Sequence, residues 1–289
     1  MRPGAVRAVL DAGARADCTE ALFTFGERPE AEPGFAAELA AVGEPSILDY
    51  CRQLCLDAID RGLLPHTNAG VLDEDELASL AGVNASMGLM LETTARVPAH
   101  AGSPGKDPEV RIATIEAAGR LRIPFTTGIL LGIGETAADR LESLETIGAL
   151  HRRYGHIQEV IVQGFAPQEN TGMAGAPTIA PAEYCETVRL AREVLPAEIA
   201  VQVPPNLADA ATLVRCGADD VGGVSPCSID HINPDHPWPA VDQLRRAIAP
   251  GAELVERLCI HPRYVERGWY PAALAPLIRR LSERLREHQ

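Results

Sequence analysis

The sequence predicts an α/β fold, a (β/α) barrel of the TIM type with seven βα units present and the first strand missing. Short apolar runs alternate with amphipathic helical patterns along the 289 residues, which is typical of parallel strands joined by helices. Nearly every apolar run also ends in polar residues, and in a barrel the carboxyl ends of the strands converge on the face that carries the chemistry. We expect residues 1–289 to form a single domain that is incomplete at its N-terminus.

Seven apolar runs are predicted as strands, namely 21–26, 63–68, 85–92, 125–134, 159–165, 200–206 and 219–226. A closed barrel of this type has eight strands. Because the residues before 20 predict only a helix, we expect the first strand to lie upstream of Met1.

Two helices between these strands have clear boundaries. Ser46 and Asp49 stand in capping-box positions before a helix that ends at Gly62, and Thr136 and Asp139 begin another. The buried stripe of the second helix is predicted to contain Leu141, Leu144, Ile147 and Leu150.

Composition excludes several classes of protein. The net charge is −14, and no basic stripe offsets it, so the surface repels nucleic acid and anionic lipid. No apolar run approaches the roughly 20 residues needed to cross a bilayer, and no signal peptide opens the chain. We therefore expect a cytoplasmic protein with no nucleic-acid or membrane partner.

The seven cysteines are odd in number and scattered, which argues against a disulfide framework. Cys51 and Cys55 are one turn apart on the first of the two helices, and this spacing favours packing in the core over metal binding.

Two short motifs stand at strand ends. "FGE" (residues 25–27) follows the first predicted strand, and "GILLGIGE" (residues 128–135) ends the fourth. Glycines such as Gly132 allow close approach of the backbone to a ligand, and Glu135 either caps the next helix or meets a hydroxyl group. Taken alone, the second motif is also what an ordinary glycine-rich turn looks like.

Longer stretches resemble the deazaflavin-forming subunit of FO synthase, a radical S-adenosylmethionine lyase. They include "CTEALFTFGERPE", "LLPHTNAG", "SMGLMLETT", "AAGRLRIPFTTGILLGIGET", "RYGHIQEVIVQ" and "VQVPPNL", in order over nearly the whole chain. The resemblance implies S-adenosylmethionine and a [4Fe-4S] cluster as cofactors. It also implies formation of 7,8-didemethyl-8-hydroxy-5-deazariboflavin, the precursor of coenzyme F420, from a hydroxybenzyl adduct of a ribitylaminouracil with loss of ammonia. The companion FO synthase subunit is a further expected partner.

The resemblance also assigns residues. "FGE" would hold the amino group of the cofactor and "GILLGIGE" would pack against its adenine. The cofactor-binding set is Gly26, Glu27, Glu92, Gly128, Gly132 and Glu135. The substrate-binding set, which faces an uncharged polyol and a uracil, is His66, Asn68, Gln163, Gln202, Asn206 and Asp220.

Two features depart from the family pattern. Members bind the cluster through CxxxCxxC after the first strand, so we expect the cluster cysteines upstream of Met1, no metal ligand within the chain, and no activity without that segment. Gly164 and Val221 stand where the family usually has Asn and Trp, which puts the exact substrate in doubt.

Three other functions are weighed against this one. The first is a non-catalytic relative that binds ligand or serves as a partner subunit. The second is a Schiff-base aldolase, for which Lys106 lies in a loop rather than at a strand end. The third is a zinc hydrolase using Asp230, His231, Asp235 and His236, whose Pro-rich loop suits a zinc site poorly.

Overall fold

One parallel sheet forms the centre of the protein in the computed structural model, which describes residues 1–169, 171–249 and 251–287. Its strands are β1 (Glu20–Thr24), β2 (Leu64–Asn68), β3 (Ser86–Gly88), β4 (Phe125–Leu131), β5 (Ile157–Gly164) and β6 (Ala200–Gln202). Each strand pairs with the next one along the chain. Parallel neighbours require a crossover between them, and the helices supply it.

The sheet is curved so that its two ends approach each other. Glu20 of β1 and Gln202 of β6 stand at opposite ends of the strand order, yet both line one cavity. A parallel bridge between Gln202 and Asp220 extends the pairing one step beyond β6. The predicted fold class is therefore confirmed, although the ladder does not close within the part of the chain that the structure describes.

The seventh predicted strand, 219–226, is wrong as a strand, because only the bridge at Asp220 forms. The Asp220 side chain accepts a hydrogen bond from the N–H of Gly222 at 2.6 Å, and Gly222 has a φ of +68°. This local turn takes the backbone out of the extended conformation, so the ladder ends there.

Two other predicted strands are shorter than expected. The run 85–92 is a strand only at 86–88, since Glu92 has a left-handed φ of +67° and the Leu91 N–H bonds the Thr127 side chain. The run 200–206 is a strand only at 200–202. Pro204 and Pro205 follow it closely, and proline has no N–H to donate to a ladder.

Helices cover the outer face of the sheet and the chain ends. They are α1 (Pro3–Arg15), α2 (Phe35–Val42), α3 (Ile47–Asp60), α4 (Glu74–Ala81), α5 (Pro108–Arg120), α6 (Ala137–Tyr154), α7 (Pro181–Val194), α8 (Ala210–Arg215), α9 (Val241–Ile248), α10 (Pro262–Glu266) and α11 (Ala275–Glu287). None of these helices has both the length and the apolar character required to cross a bilayer.

The two helix starts predicted from sequence are confirmed. Ser46 accepts from the Asp49 N–H before α3, and Thr136 and Asp139 form a complete capping box before α6. Leu144, Ile147 and Leu150 are buried as expected, but Leu141 is 37% exposed. The neighbouring Arg140 takes the buried position instead.

The cysteines divide into packed, bridged and exposed groups. Cys51 and Cys55 are buried in the core beside Thr67, which confirms their packing role. Cys185 of α7 and Cys216 after α8 form one disulfide, a pairing that the sequence spacing does not reveal. The other five cysteines are free, so the chain has no disulfide framework.

A C-terminal segment, residues 257–261, lies across the amino ends of the strands. The Cys259 carbonyl accepts from Ser86 of β3 at 2.8 Å and from Gln158 of β5 at 2.8 Å. Leu258 and Ile260 join an apolar cluster in which α11 packs on Leu64. This segment therefore closes the interior of the sheet at the amino ends of the strands. A barrel carries its chemistry at the opposite end, where the carboxyl ends of the strands lie.

The substitution Ile278→Ala tests how much this closure contributes to stability. Ile278 is 1% exposed within the C-terminal cluster, and truncation of a buried Ile leaves a cavity that costs about 2–5 kcal/mol. Urea unfolding should show a lower midpoint with an unchanged slope. The control Leu141→Ala, at a 37% exposed position, should change the free energy of unfolding by less than about 0.5 kcal/mol. Equal losses in both variants would contradict the packing described here.

Candidate functional site

The inward faces of the strands enclose a cavity of about 140 Å³. Its polar lining comes from β1, β2, β4, β5, β6 and the C-terminal segment, in the order Glu20, Thr24, His66, Asn68, Thr126, Glu159, Gln202 and Arg257. Apolar contacts come from Leu22, Leu89, Met90 and Ile161. A concave site with a few convergent polar groups is the usual form of a small-molecule pocket.

A bulge in β5 aims two side chains into this cavity. Phe125 pairs with Ile157, but the next residue, Thr126, pairs with Glu159, so Gln158 is an extra residue in the ladder. Such a bulge breaks the alternation of faces. Thr126 Oγ1 consequently contacts both neighbours, donating to Glu159 Oε1 at 2.7 Å and accepting from Gln158 Nε2 at 3.3 Å.

Arg257 is the cation at the floor of the cavity. Its Nε donates to Asp220 Oδ2 at 2.5 Å and its Nη2 donates to Glu159 Oε2. Burial alone would raise the pKa of Glu159, but the charges of Arg257 and His261 outweigh it and lower that pKa. Burial likewise opposes the charge of Arg257, yet the two carboxylates raise its pKa well above the ordinary value. Glu159 and Arg257 therefore remain charged at neutral pH.

His66 stands on the wall of the cavity and is held by a relay of hydrogen bonds. Its Nδ1 lies 2.7 Å from Ser86 Oγ, and that hydroxyl donates to the Cys259 carbonyl at 2.8 Å. Because burial lowers the pKa of His66 to about 4, the imidazole is neutral near pH 7.

Glu92 lies nearer the carboxyl ends of the strands and is surrounded by basic side chains. Its carboxylate is 2.9 Å from His100 Nε2 and 3.2 Å from Arg111 Nη1, and it also bonds Lys106 Nζ. Burial would raise the pKa of Glu92, but these three groups lower it to about 2. The predicted role of Glu92 in binding cofactor stays a prediction, and its carboxylate already has three partners here.

Glu135 turns back over its own glycine loop rather than capping α6. Its carboxylate accepts from the N–H groups of Gly132 at 2.9 Å and Ile133 at 2.8 Å, and it pairs with Arg140 at 2.7 Å. Gly132 has a φ of +89°, which a side chain would strain. Gly128 has no room for a side chain, because a Cβ atom there would lie 2.3 Å from the Ile161 carbonyl.

Glu27 is exposed on the rim. Among the described residues its carboxylate accepts one long hydrogen bond, from the Val71 N–H at 3.5 Å, and a Cβ atom on Gly105 would overlap it. Gly26 is exposed beside it with open space around its Cα. Among the predicted cofactor residues, Glu27 is therefore the carboxylate that is available to a ligand.

The predicted substrate residues are partly brought together. His66, Asn68 and Gln202 line the cavity, and the absence of a side chain on Gly222 leaves room for the Gln202 amide. Gln163 lies two residues beyond Ile161 on the same face of β5. Asp220 is committed to Arg257.

Asn206 lies apart from the cavity lining. Its amide N–H donates to Asp230 at 2.9 Å and to the His236 carbonyl at 3.2 Å, while its buried Oδ1 has no partner among the residues the structure describes.

Sequence reasoning missed Glu20, Glu159 and Arg257. Glu20 and Glu159 stand at the starts of strands, whereas the search followed strand ends. The bulge at Gln158 also hides the inward direction of Glu159. All three are isolated charges beside or within apolar runs. Because a buried charge requires a partner, this pattern could have indicated them as members of a buried ion group.

The alternative functions find no support at their residues. Lys106 pairs with Glu92 on the rim, and Asp230 accepts hydrogen bonds from Asn206 and Asn233. Within residues 1–169, 171–249 and 251–287, the potential ligand atoms of Glu159, Asp220 and His261 lie close enough together to hold a metal ion. Both carboxylates of this group already form salt bridges with Arg257.

Comparison with known proteins defines the class. The sequence model of the Radical SAM superfamily matches residues 1–147. Two solved structures share the fold, namely methylornithine synthase (PylB), with a TM-score of 0.61 at 18% identity over 96% of this chain and 75% of that chain, and HydG, a maturase of the [FeFe]-hydrogenase, with a TM-score of 0.68 at 13% identity over 96% of this chain and 62% of that chain. The class is that of the radical SAM enzymes.

Sequence relatives narrow the class further. The 7,8-didemethyl-8-hydroxy-5-deazariboflavin synthase of Methanosphaerula palustris is 63% identical over 96% of this chain and 85% of its own length. The synthases of Methanoculleus marisnigri and Archaeoglobus fulgidus are 63% and 51% identical, over 99% and 96% of this chain and 86% of their own lengths. The chain belongs to this synthase family. The resemblance seen in the sequence is confirmed, and these relatives give no support to the non-catalytic alternative.

Radical SAM enzymes use S-adenosylmethionine and a [4Fe-4S] cluster, and the residues described here fit the two groups unequally. Glu27, an exposed carboxylate with a single long contact, fits an ammonium group. The cysteines do not fit a cluster, because Cys51, Cys55 and Cys259 are buried and Cys185 and Cys216 are bonded to each other.

The substitution Glu135→Gln tests the brace of the glycine loop. It removes the charge that faces the buried Arg140, which keeps Glu183 as a partner at 2.6 Å. Loss of one charged partner should lower the free energy of unfolding by about 1–3 kcal/mol. Chemical denaturation measures this loss, and the exposed Glu142→Gln is the matched control. A Glu135→Gln protein as stable as this control would show that the brace contributes nothing.

Proposed function

We propose that this chain forms 7,8-didemethyl-8-hydroxy-5-deazariboflavin, the precursor of coenzyme F420, from a hydroxybenzyl adduct of a ribitylaminouracil with loss of ammonia. The high identity to synthases of that name over nearly the whole chain carries the proposal. The companion subunit of FO synthase is the source of the adduct in this proposal. The two reactants, the adduct and S-adenosylmethionine, are small metabolites, and we propose that the reaction takes place in the cytoplasm.

The character of the cavity supports this substrate. Its polar lining combines amides and a hydroxyl, from Asn68, Gln202 and Thr24, with apolar contacts from Leu22 and Met90. Amide and hydroxyl groups match a polyol and a uracil, each of which both donates and accepts hydrogen bonds. Lysine, which often binds phosphate as a point charge, is absent from the lining described here.

The rim supports the cofactor end of the proposal. S-Adenosylmethionine supplies, when bound and reductively cleaved, a carbon radical that removes hydrogen from substrate. Glu27 would hold its ammonium group, and the loop containing Gly132 would lie beside its adenine. Gln163, on the same face of β5 as Ile161, would stand between this rim and the cavity.

Direct turnover tests the proposal. The protein carrying the CxxxCxxC cluster segment of its family, reconstituted with iron and sulfide, is incubated under anaerobic conditions with the adduct, S-adenosylmethionine and a reductant, and the fluorescent deazaflavin and released ammonia are quantified. We expect both products in equal amounts and neither product when S-adenosylmethionine is omitted. Cleavage of S-adenosylmethionine without any change of the bound adduct would contradict the proposed reaction.

A binding measurement tests the role of Glu27 separately. Glu27→Gln removes the charge of a charge-assisted hydrogen bond, so the affinity for S-adenosylmethionine should fall about tenfold. Calorimetric titration measures the affinity, and the exposed Glu32→Gln serves as the control. Because Glu27 is exposed, its variant should unfold at the same denaturant concentration as the unmodified chain. An unchanged affinity would remove Glu27 from the cofactor site.

A further inference from the structure

Two hydrogen-bond acceptors, the Glu20 carboxyl group and His66 Nε2, face the cavity without a hydrogen bond from any described residue. Glu20 begins β1, and Leu22, two residues further on, is the register partner of His66 on β2. Side chains two residues apart on a strand share a face. Glu20 and His66 therefore point to the same side of the sheet, and both line the cavity.

Glu20 is left without an ion pair by the way Arg257 is bound. The three nitrogens of the guanidinium donate to Asp220, to Glu159 and to the Leu258 carbonyl. Arg257 forms salt bridges with Glu159 and Asp220. Within the described parts of the chain, no side chain forms a salt bridge with Glu20. The cavity is thus lined by two carboxyl groups, Glu20 and Glu159, and by one guanidinium whose charge is shared with Asp220 beside the cavity.

The hydrogen-bond relay fixes the tautomer of His66. The Cys259 carbonyl can only accept, so the Ser86 hydroxyl donates its proton there and must accept from His66 Nδ1. The neutral imidazole then has its lone pair on Nε2. The side chain is 8% exposed, and Nε2 lies next to Gly88, which lines the same cavity. Among the described residues, Nε2 has no hydrogen-bond partner.

We propose that Glu20 and His66 Nε2 form a subsite for the amino group that the substrate loses as ammonia. A carboxylate and an imidazole lone pair both accept, and a protonated amine offers only donors together with the positive charge that the cavity lacks. The inference rests on the proposed function for the identity of the ligand. It adds Glu20, which no sequence motif indicated, as a substrate-binding residue.

The surroundings of Glu20 give this subsite a pH dependence. Burial raises the pKa of Glu20 to about 7, with Arg257 opposing the shift and Glu159 and Asp220 adding to it. His66, His261 and Cys259 are the other titratable groups around the cavity floor. Above that pKa the carboxylate is available to a cation, and below it the carboxyl proton competes with the ligand. Affinity for the amine should therefore fall as the pH drops through about 7.

The experiment compares two ligands on matched variants. The ligands are the hydroxybenzyl-ribitylaminouracil adduct and the same adduct with a hydroxyl in place of the amino group, titrated calorimetrically at several pH values. Glu20→Gln should weaken binding of the amine at least tenfold, because a charge-assisted hydrogen bond is lost. It should change binding of the hydroxyl analogue less than twofold and should abolish the pH step. The exposed Glu145→Gln is the control.

Three further measurements keep the test independent of turnover and of folding defects. Infrared difference spectra of the unmodified chain should show a protonated carboxyl band that disappears near pH 7 and is absent from Glu20→Gln. Glu20→Asp should recover part of the selectivity for the amine. His66→Phe, which removes the Nε2 acceptor, should also weaken the amine more than the analogue.

Each result is decisive for one statement. If Glu20→Gln binds the amine as tightly as the unmodified chain, or loses both ligands equally, the subsite is wrong while the proposed function stands. If the unmodified chain binds neither ligand, the proposed function is wrong and the subsite with it.

Discussion

The contact of Arg257 with Glu159 and Asp220 is the interaction on which the interior of this protein depends. Glu159 comes from β5, Asp220 from the segment that bridges to β6, and Arg257 from the C-terminal segment. Removing one member of a buried ion group leaves an uncompensated charge, which costs several kcal/mol. The guanidinium therefore connects the edge of the sheet to the segment that closes its floor. The cavity has its shape because these three elements are held together.

Carboxylates are used in three different ways at different depths of the site. Glu92 and Glu135 are saturated by basic side chains and backbone N–H groups and so keep two loops in place. Glu159 and Asp220 neutralise Arg257 at the floor. Glu27 on the rim and Glu20 in the cavity keep unused bonding capacity. Glu27 and Glu20, which lack strong partners, are the carboxylates with bonds to offer a ligand. The number of partners thus distinguishes binding carboxylates from structural ones, whatever their position in the sequence.

Much of the fold was predictable because it depends on local patterns. The cap at Thr136 fixes the start of α6, and apolar runs fix the centres of β2, β4 and β5, so these elements were located closely. The failures are non-local. The bulge at Gln158 reverses the expected faces of β5 through its pairing with β4, and Leu141 is displaced from the core by an ion pair of Arg140. Arg257, the cationic partner of Glu159, lies 98 residues away, beyond any motif. Resemblance to a family identified the rim and the wall of the site, but it did not indicate Arg257 or Glu20.

The position of the closing segment in the chain also constrains how the protein is made. During synthesis β1 to β6 leave the ribosome before residue 257 exists, and domains generally begin to fold from the N-terminal side. The acceptor of the Ser86 hydroxyl is translated 173 residues later, and the cation that pairs with Glu159 is translated 98 residues after it. A nascent sheet therefore carries unpaired negative charge and an open floor until residue 257 has been translated. We expect ribosome-bound chains that stop short of Arg257 to expose this charge and the open floor, because the segment that covers both has not yet been made.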